Sequence, residues 1–248
     1  MPNQHPESEH KFVLSPANAV SFLRALDPHM TPLSYDPAHP DAWTRTTYLD
    51  TDDFAYLRSS ATRTHRRLRV REYAAASAGN APRLTGACFV ELKENTGTLR
   101  SKIRCAAPAE DIAALLRGEI PGGSRLTSRS NAAWIALLKR IIDEQPRPRV
   151  TTWYRRDTLL AESGRVRVTV DAGFAVCAPV APGAPGTPAT PATILESLDA
   201  TIVEVKLAGE KPEWLSRAME TVEEAHGFSK FRRAMEVIAA VPSRGRAR

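Results

Sequence analysis

Apolar and polar residues alternate along several short segments of the chain, which is the pattern of β-strands whose two faces meet different surroundings. In "RVRVTVD" at 165–171, valines occupy every second position, and charged or polar residues occupy the positions between them. Similar alternation and many β-branched residues predict further strands at 45–51, 63–73, 88–94, 98–105, 149–160 and 200–208. Strands therefore dominate the predicted structure.

Segments with helical spacing of apolar residues lie between and around these strands. Ser15 and Pro16 predict the start of a helix that ends near residue 26, because serine caps helices and proline suits their first position. Further helices are predicted at 52–60, 108–118, 128–144, 211–226 and 229–241. Since most strands are joined by short turns or single helices, we predict an α+β fold with one large, mostly antiparallel sheet.

The chain shows no internal repeat and no domain boundary. We expect one domain at 9–241, with a flexible N-terminal arm at 1–8 and a disordered basic tail at 242–248. The Pro-rich stretch at 178–193 is predicted to be a flexible loop inserted between strands, because its composition has low complexity. We do not expect this loop to form part of a functional site.

The polar faces of the predicted strands consist almost entirely of charged residues. Arg67, Arg69 and Arg71 share one face of their strand, and Glu204 and Lys206 share one face of theirs. A solvated face of an ordinary antiparallel sheet also alternates, so that interpretation stays open for any single strand. Like charges side by side repel each other unless an anion lies between them. We therefore predict an antiparallel barrel or tunnel of about eight strands, with a charged interior and helices packed outside.

Such an interior would contain more basic than acidic residues. The basic candidates are Arg67, Arg69, Arg71, Lys93, Lys102, Arg104, Arg165, Arg167 and Lys206. The acidic candidates are Glu91, Asp171 and Glu204, and for Asp171 an ion pair with Arg167 is favoured over the alternative role of metal ligand. Enclosed positive charge needs a multiply charged anion, and the planar fork of arginine matches phosphate oxygens. Carboxylates among the bases suit a divalent cation, so the pattern predicts a chain of phosphates with Mg²⁺ or Mn²⁺.

Composition narrows the class of protein further. The 248 residues include 34 Lys and Arg against 28 Asp and Glu, and this net charge of +6 weakly favours an anionic partner. No apolar run is long enough to predict a transmembrane helix, and the N-terminus lacks the apolar core of a secretory signal. Three widely spaced cysteines favour buried thiols over disulfides, which predicts a cytoplasmic location. The histidines lack metal-ligand spacing, and no phosphate-binding loop or dinucleotide fingerprint occurs.

Nine motifs, in order along the chain, resemble the polyphosphate-polymerase (VTC, vacuolar transporter chaperone) domain of the triphosphate tunnel metalloenzyme superfamily, which is also called CYTH-like. They are "EHKFVLSPAN" at 9–18, "TTYLDT" at 46–51, "RLRVREY" at 67–73, "FVELKE" at 89–94, "LRSKIR" at 99–104, "YRRDTL" at 154–159, "RVTVD" at 167–171, "VEVK" at 203–206 and "FSKF" at 228–231. The resemblance runs from about Glu9 to Arg233. It implies a tunnel enzyme that transfers the γ-phosphate of ATP to a growing polyphosphate chain with Mn²⁺ or Mg²⁺.

The resemblance also implies roles for individual residues. The positions that match its phosphate-contacting residues are Lys11, Arg69, Arg71, Lys93, Lys102, Arg156, Arg167 and Lys230. Among these we expect catalytic roles for Arg69, Arg71, Lys93, Arg156 and Arg167, and substrate binding by the other three. Glu204 matches the metal-binding glutamate.

The strand pattern adds further candidates to this set. Arg104 and Lys206 are predicted to bind phosphate, and Glu9 and Glu91 are predicted to bind metal. Ser229 is expected to cap a helix that places Lys230 in its first turn, where free N–H groups favour anions. Tyr48 and Tyr154 are interpreted as packing residues of the wall.

Two other functions remain open at this point. A metal-dependent hydrolase of triphosphates or nucleoside triphosphates is favoured by the E-x-E-x-K pattern at 7–11, whereas the polymerase pattern needs only "EHK". A protein that binds polyphosphate without turnover would need the same charges. Nucleic acid is not expected as a partner, because the basic strands carry almost no aromatic residues for base stacking.

Overall fold

The computed structural model describes residues 7–77, 79–117, 119, 132–191 and 193–240. The predicted tail and most of the predicted N-terminal arm therefore lie outside the described residues, as does the start of the helix predicted at 128–144. The strands are β1 (Glu7–Leu14), β2 (Met30–Pro32), β3 (Asp41–Asp50), β4 (Thr64–Ala76), β5 (Arg83–Thr96), β6 (Arg100–Ala106), β7 (Arg147–Ala161), β8 (Val166–Cys177), β9 (Ile194–Ser197) and β10 (Thr201–Ala208). The α-helices are α1 (Pro16–Leu26), α2 (Ala55–Ser59), α3 (Ala109–Leu116), α4 (Ala132–Glu144), α5 (Glu213–Glu220) and α6 (Lys230–Ala240).

All ten strands belong to one antiparallel sheet, which confirms the α+β prediction. Eight of them follow the order β1-β10-β8-β7-β3-β4-β5-β6, while β2 pairs with β7 and β9 with β8. Of the predicted barrel or tunnel, the barrel form is wrong, because the order of the described strands ends on β1 and β6 without joining them. Alternation identifies the two faces of a strand, but closure also depends on strand tilt and stagger, which the pattern does not specify.

The sheet is strongly curled although it is not closed. Glu9 on β1, at one edge, interacts electrostatically with Lys93 on β5, which lies next to the strand at the other edge. The charged faces of the strands therefore form the concave side of the sheet and surround a common space.

The convex face is apolar and is covered by helices. At β1, β10 and β8, residues such as Phe12, Val168 and Val205 pack in one core with Phe22 of α1 and Leu215 of α5. At β4 and β5, the alternate apolar positions pack in a second core with α2, α3 and α4. Burial of these apolar faces fixes which side of each strand faces the interior.

The Pro-rich segment at 178–193 differs from the flexible loop that its composition predicts. Its described residues cover the convex face of the central strands, where Ala189 is fully buried. The Gly183 N–H donates to Oε1 of Glu72 at 2.8 Å, and the Ala189 N–H donates to the Pro82 carbonyl at 2.8 Å. Proline limits the unfolded freedom of such a segment, so these bonds order it at a smaller entropic cost.

Helix α6 corrects the expectation that all helices pack outside. Its Phe231 ring lies 5.3 Å from the ring of Tyr48, and Phe231 also lines the interior cavity together with Lys230. Ala234 and Met235 of the same helix belong to a core with Tyr48 and other buried residues. The first turn of α6 therefore contributes to the interior. Among the described residues, none of the helices has both the length and the apolar character needed to cross a membrane.

Candidate functional site

The concave face encloses a cavity of about 1120 Å³. Eleven Lys and Arg residues line it, against five Asp and Glu residues. The cavity-lining residues include all but one of the predicted site residues: Glu9, Lys11, Arg69, Arg71, Lys93, Lys102, Arg104, Arg156, Arg167, Glu204, Lys206 and Lys230. The exception is Glu91, which lies behind the cavity surface and is fully buried.

Glu91 organises the basic residues of the wall formed by β4, β5 and β6. Its Oε2 accepts a 2.6 Å hydrogen bond from Nε of Arg69 and lies 2.5 Å from an Nη atom of the same guanidinium. Its Oε1 lies 3.4 Å from Nζ of Lys102 and 3.5 Å from Nε of Arg104, but it accepts no hydrogen bond from any residue that the structure describes. Lys102 and Arg104 therefore interact with Oε1 through electrostatic attraction and not through hydrogen bonds.

The charge state of Glu91 follows from this environment. Burial would raise the pKa of the carboxyl, but Arg69, Arg71 and Lys102 outweigh burial and lower the pKa to about 2. Glu91 is consequently ionised at neutral pH. Its three cationic neighbours favour a positioning role over the metal-ligand role that the sequence predicts for it.

A second buried carboxylate, Asp171 on β8, organises the opposite side of the cavity. It forms two hydrogen bonds with Arg156, at 2.6 and 2.7 Å, and its Oδ2 lies 2.7 Å from Nζ of Lys230. The sequence predicts an ion pair between Asp171 and Arg167. Asp171 does form an ion pair, but its partners are Arg156 and Lys230. Burial would raise the pKa of Asp171, yet Lys230 and Arg156 hold it below its ordinary value.

The first turn of α6 brings Lys230 into this cluster. The helix starts at Lys230, and the Ser229 hydroxyl accepts a 3.4 Å hydrogen bond from the Arg232 N–H, so Ser229 acts as the predicted cap. Lys230 is largely buried, with a side-chain exposure of 13 %. The helix N-terminus and the lysine thus add positive potential at the same place.

The wall formed by β1 and β10 carries accessible carboxylates. Oε1 of Glu9 lies 2.5 Å from Nζ of Lys11, and Oε2 of Glu9 lies 3.5 Å from Nζ of Lys206. Burial would raise the pKa of Glu9, but Lys11 and Lys206 lower it below its ordinary value. Glu204 is opposite Lys11 in the strand register and is half-buried at the cavity surface.

This pair of carboxylates can be tested against the needs of a divalent cation. Glu9 and Glu204 lie on neighbouring strands at diagonal positions of one face, which is within bridging range for long side chains. Among the described residues, no group of three or more His, Cys, Asp and Glu residues could hold a metal by itself. Mg²⁺ typically binds to one or two carboxylates and completes its shell with substrate phosphates and water. The residues present therefore fit a metal that arrives with, or is completed by, a phosphate ligand.

Lys93 and Arg71 complete the basic surface. Lys93 is an exposed residue at the cavity surface, where desolvation by the surrounding protein and the charges of Arg69 and Lys102 lower its pKa to about 8. Nε of Arg71 donates a 3.3 Å hydrogen bond to the Thr46 hydroxyl. Arg167 projects into the cavity from an exposed position on β8. These three cations lie on three different strands around one space.

Arg67 and Tyr154 line the cavity although the sequence assigns them no catalytic, phosphate-binding or metal-binding role; Arg67 is nevertheless one of the basic residues predicted for the interior. Arg67 lines the cavity, and its buried Nε has no hydrogen-bond partner within the described part of the chain. Tyr154 also lines it, and its buried hydroxyl is likewise unpaired there. Burial would raise the pKa of Tyr154, but Arg71 and Arg156 lower it below its ordinary value. Each lies two residues before a predicted arginine on the same strand; this spacing places Arg67 in the interior from the sequence, and the same spacing is the signal that could have identified Tyr154 as a site residue.

The fold and the cavity together define an α+β protein with a predominantly basic cavity on the concave face of a curled sheet. A family model described as the VTC domain matches residues 7–239. The chain belongs to the VTC domain family, which connects it with polyphosphate and with enzymes that handle phosphate.

Comparison with solved structures gives similarities of fold only. The chain is similar to the PH1819 protein from Pyrococcus horikoshii OT3, with a TM-score of 0.47, 12% identity and coverage of 93% of this chain and 98% of that chain. It is also similar to a putative adenylate cyclase from Vibrio parahaemolyticus, with a TM-score of 0.45, 10% identity and coverage of 96% and 99%. No curated protein sequence matches the chain.

Proposed function

We propose that this protein is a metal-dependent polyphosphate polymerase, which transfers the γ-phosphate of ATP to a growing polyphosphate chain inside the cavity. The observation that carries this proposal is the surplus of cationic side chains around a single large cavity, held in place by two buried carboxylates. A volume of about 1120 Å³ exceeds that of most small-molecule sites, so it can hold a donor triphosphate and part of an acceptor chain together.

The chemistry suits a site without a general base. Phosphoryl transfer depends mainly on positioning and on neutralising the charge of the transferred group. The nucleophile is the terminal phosphate of the acceptor chain, whose oxygen is already anionic near neutral pH. Arg69, Arg71, Arg156 and Arg167 hold the transferring group in this proposal, and their guanidinium forks stabilise the charge that it carries in the transition state.

The remaining residues bind the phosphates on either side of the transferring group. Lys11, Lys102, Lys206 and Lys230 supply flexible point charges, and Lys93 adds another that is charged at neutral pH. Glu204 and Glu9 would hold Mn²⁺ or Mg²⁺, which when bound neutralises phosphate oxygens and polarises them. Glu91 and Asp171 act through the arginines and lysines that they orient.

A hydrolase is the second candidate, and one observation favours it. Strand β1 begins at Glu7, so the whole E-x-E-x-K pattern lies on one strand, in register with β10 from Ala208 to Glu204. Because the side chain of Glu7 lies outside the described residues, the pattern is tested best by substitution. Glu7→Gln should have little effect on a polymerase and should severely reduce the rate of a metal-dependent hydrolase.

Product analysis decides between these functions. The protein is incubated with ATP and Mn²⁺, and the products are examined on gels stained for long polyphosphate and by assay of free phosphate. Long polymer supports the proposal, whereas orthophosphate alone supports the hydrolase. Binding without either product would indicate a protein that only binds polyphosphate.

The variant Arg71→Ala links the activity to this cavity. We expect it to abolish polymer formation, because it removes a guanidinium that lies among the phosphate-binding residues. Circular dichroism and the free energy of unfolding should stay close to those of the parent, since Arg71 has only the Thr46 hydroxyl as a hydrogen-bond partner within the described residues. Full activity in this variant would rule out the assignment.

A further inference from the structure

One end of the cavity is lined by aromatic and small side chains. Tyr73 on β4 and Phe89 on β5 pack edge to face, with ring centroids 6.0 Å apart and an interplanar angle of 80°. The Arg104 guanidinium from β6 lies 3.8 Å from the centroid of Phe89, and its Nη2 donates a 3.2 Å hydrogen bond to the Tyr73 hydroxyl. We refer to these three residues, Tyr73, Phe89 and Arg104, as the aromatic platform.

The aromatic platform adjoins the arginines assigned to the phosphates. Phe89 is directly opposite Arg71 in the pairing of β4 with β5, and Arg104 is directly opposite Glu91 in the pairing of β5 with β6. Directly opposed residues in an antiparallel sheet have Cα atoms about 5 Å apart. If Arg71 binds a phosphate, a group attached to that phosphate needs to extend only to the neighbouring strand to contact the aromatic platform.

The space beside the aromatic platform is open. Ala42, Ala75 and Ala87 line the same cavity, and their small side chains leave room for a flat ligand group. The side chain of Arg104 is 37% exposed, although Phe89 and Tyr73 hold it in place. An ordered, partly exposed guanidinium is a planar surface on which an aromatic ring stacks favourably.

We propose that the aromatic platform binds the nucleoside of a nucleotide donor, with the base stacked on the Arg104 guanidinium, which Phe89 supports from behind, and the phosphates directed toward Arg71. This inference rests on the proposed use of a nucleoside triphosphate. Inorganic phosphate chains have no planar face, so they gain nothing from the aromatic rings of the platform. It thus provides the means by which the site distinguishes a nucleotide donor from the polymer that it produces.

The experiment compares two ligands that differ in the nucleoside. Calorimetry measures the affinity of the whole protein for a non-hydrolysable ATP analogue and for tripolyphosphate, so turnover plays no part. Phe89→Leu keeps an apolar side chain but removes the aromatic face. We expect it to weaken binding of the ATP analogue about tenfold, the size of a stacking contribution, and to change tripolyphosphate affinity less than twofold.

Two substitutions of Tyr73 show whether a loss of affinity comes from the aromatic platform or from misfolding of the variant. Tyr73→Phe keeps the ring but removes the hydroxyl that accepts the Arg104 hydrogen bond, so it should weaken binding of the ATP analogue less than Tyr73→Leu, which should repeat the selective loss. An equal loss for both ligands, or no loss for either, would overturn the inference. A failure of the polymerase proposal would appear as absent polymer despite selective nucleotide binding, and so it remains distinguishable.

Discussion

The two walls of the cavity use their carboxylates in different ways. On the wall formed by β4, β5 and β6, Glu91 is fully buried and contacts Arg69, Lys102 and Arg104. Its negative charge therefore orients these three side chains. On β1 and β10, Glu9 is 37% exposed in its side chain and Glu204 is half-buried at the cavity surface. Residues of one chemical type are therefore buried supports for cations on one wall and accessible groups at the cavity surface on the other.

The difference shows how a cluster of cations can persist before a ligand binds. Buried like charges repel strongly, and a carboxylate behind them offsets part of that repulsion. Asp171 does for Arg156 and Lys230 what Glu91 does for Arg69. Because the surplus of positive charge remains on the cavity side, the site is organised in advance for an anion.

The largest effect on stability is expected from Glu91→Gln. This substitution keeps the shape of the side chain but leaves Arg69 and its neighbours without a buried counter-charge, which should lower the free energy of unfolding by about 3 kcal/mol. Urea denaturation without phosphate measures this value. Adding tripolyphosphate should restore part of the loss, since an anion supplies the missing charge. A change below about 0.5 kcal/mol would show that Glu91 is not a support.

The matched substitution Glu204→Gln should behave in the opposite manner. Its accessible position predicts a change in unfolding free energy within about 0.5 kcal/mol. If Glu204 holds the metal, the Mn²⁺ concentration needed for half-maximal activity should rise at least about tenfold. A titration of activity against Mn²⁺ provides the measurement, and an unchanged midpoint would remove Glu204 from the metal site.

Lys93 predicts a pH dependence of anion binding. Its pKa of about 8 means that it is charged at neutral pH and loses its proton as the pH rises above 8. Every phosphate of tripolyphosphate carries negative charge throughout this range, so loss of the Lys93 charge should lower its affinity by up to about tenfold per pH unit. Lys93→Arg keeps the charge at all these pH values and should remove this decline. A parallel decline in both proteins would assign the effect to another group.

The smallest effect is expected away from both walls, at Gly183 of the Pro-rich segment. A Cβ atom at this position would lie 2.5 Å from Cδ1 of Leu84 and 3.2 Å from Nη2 of Arg45. Gly183→Ala should lower the free energy of unfolding by about 1 kcal/mol and the melting temperature by about 2–4 °C. Tripolyphosphate affinity should not change, because Gly183 contacts the convex face. A loss of affinity would show that the segment influences the site.

The alternation of charged and apolar residues was enough to predict the concave face. Burial of valine and leucine on one side forces the alternate residues to the other, so Arg69, Arg71 and Lys206 were placed from local sequence alone. The pairing of carboxylates could not be predicted in the same way. Asp171 and Arg167 are close in sequence, yet the register of β7 against β8 places Asp171 directly opposite Arg156, with which it forms the ion pair.

Three other features depend on contacts that local patterns do not encode. The separation of β1 from β6 reflects the geometry of the whole sheet. The interior position of Phe231 reflects packing on Tyr48, which is distant in sequence. The order of the Pro-rich segment comes from hydrogen bonds to Glu72 and Pro82, whereas its composition alone predicts flexibility.

The central claim is that the cavity transfers phosphate to a phosphate chain rather than to water. The most direct test supplies the protein with ATP labelled at the γ-phosphate, Mn²⁺ and a short polyphosphate primer, and then follows where the label goes. We expect the label in chains longer than the primer, with Arg71→Ala producing none. Label found only in orthophosphate, with the primer unchanged in length, would contradict the proposed function.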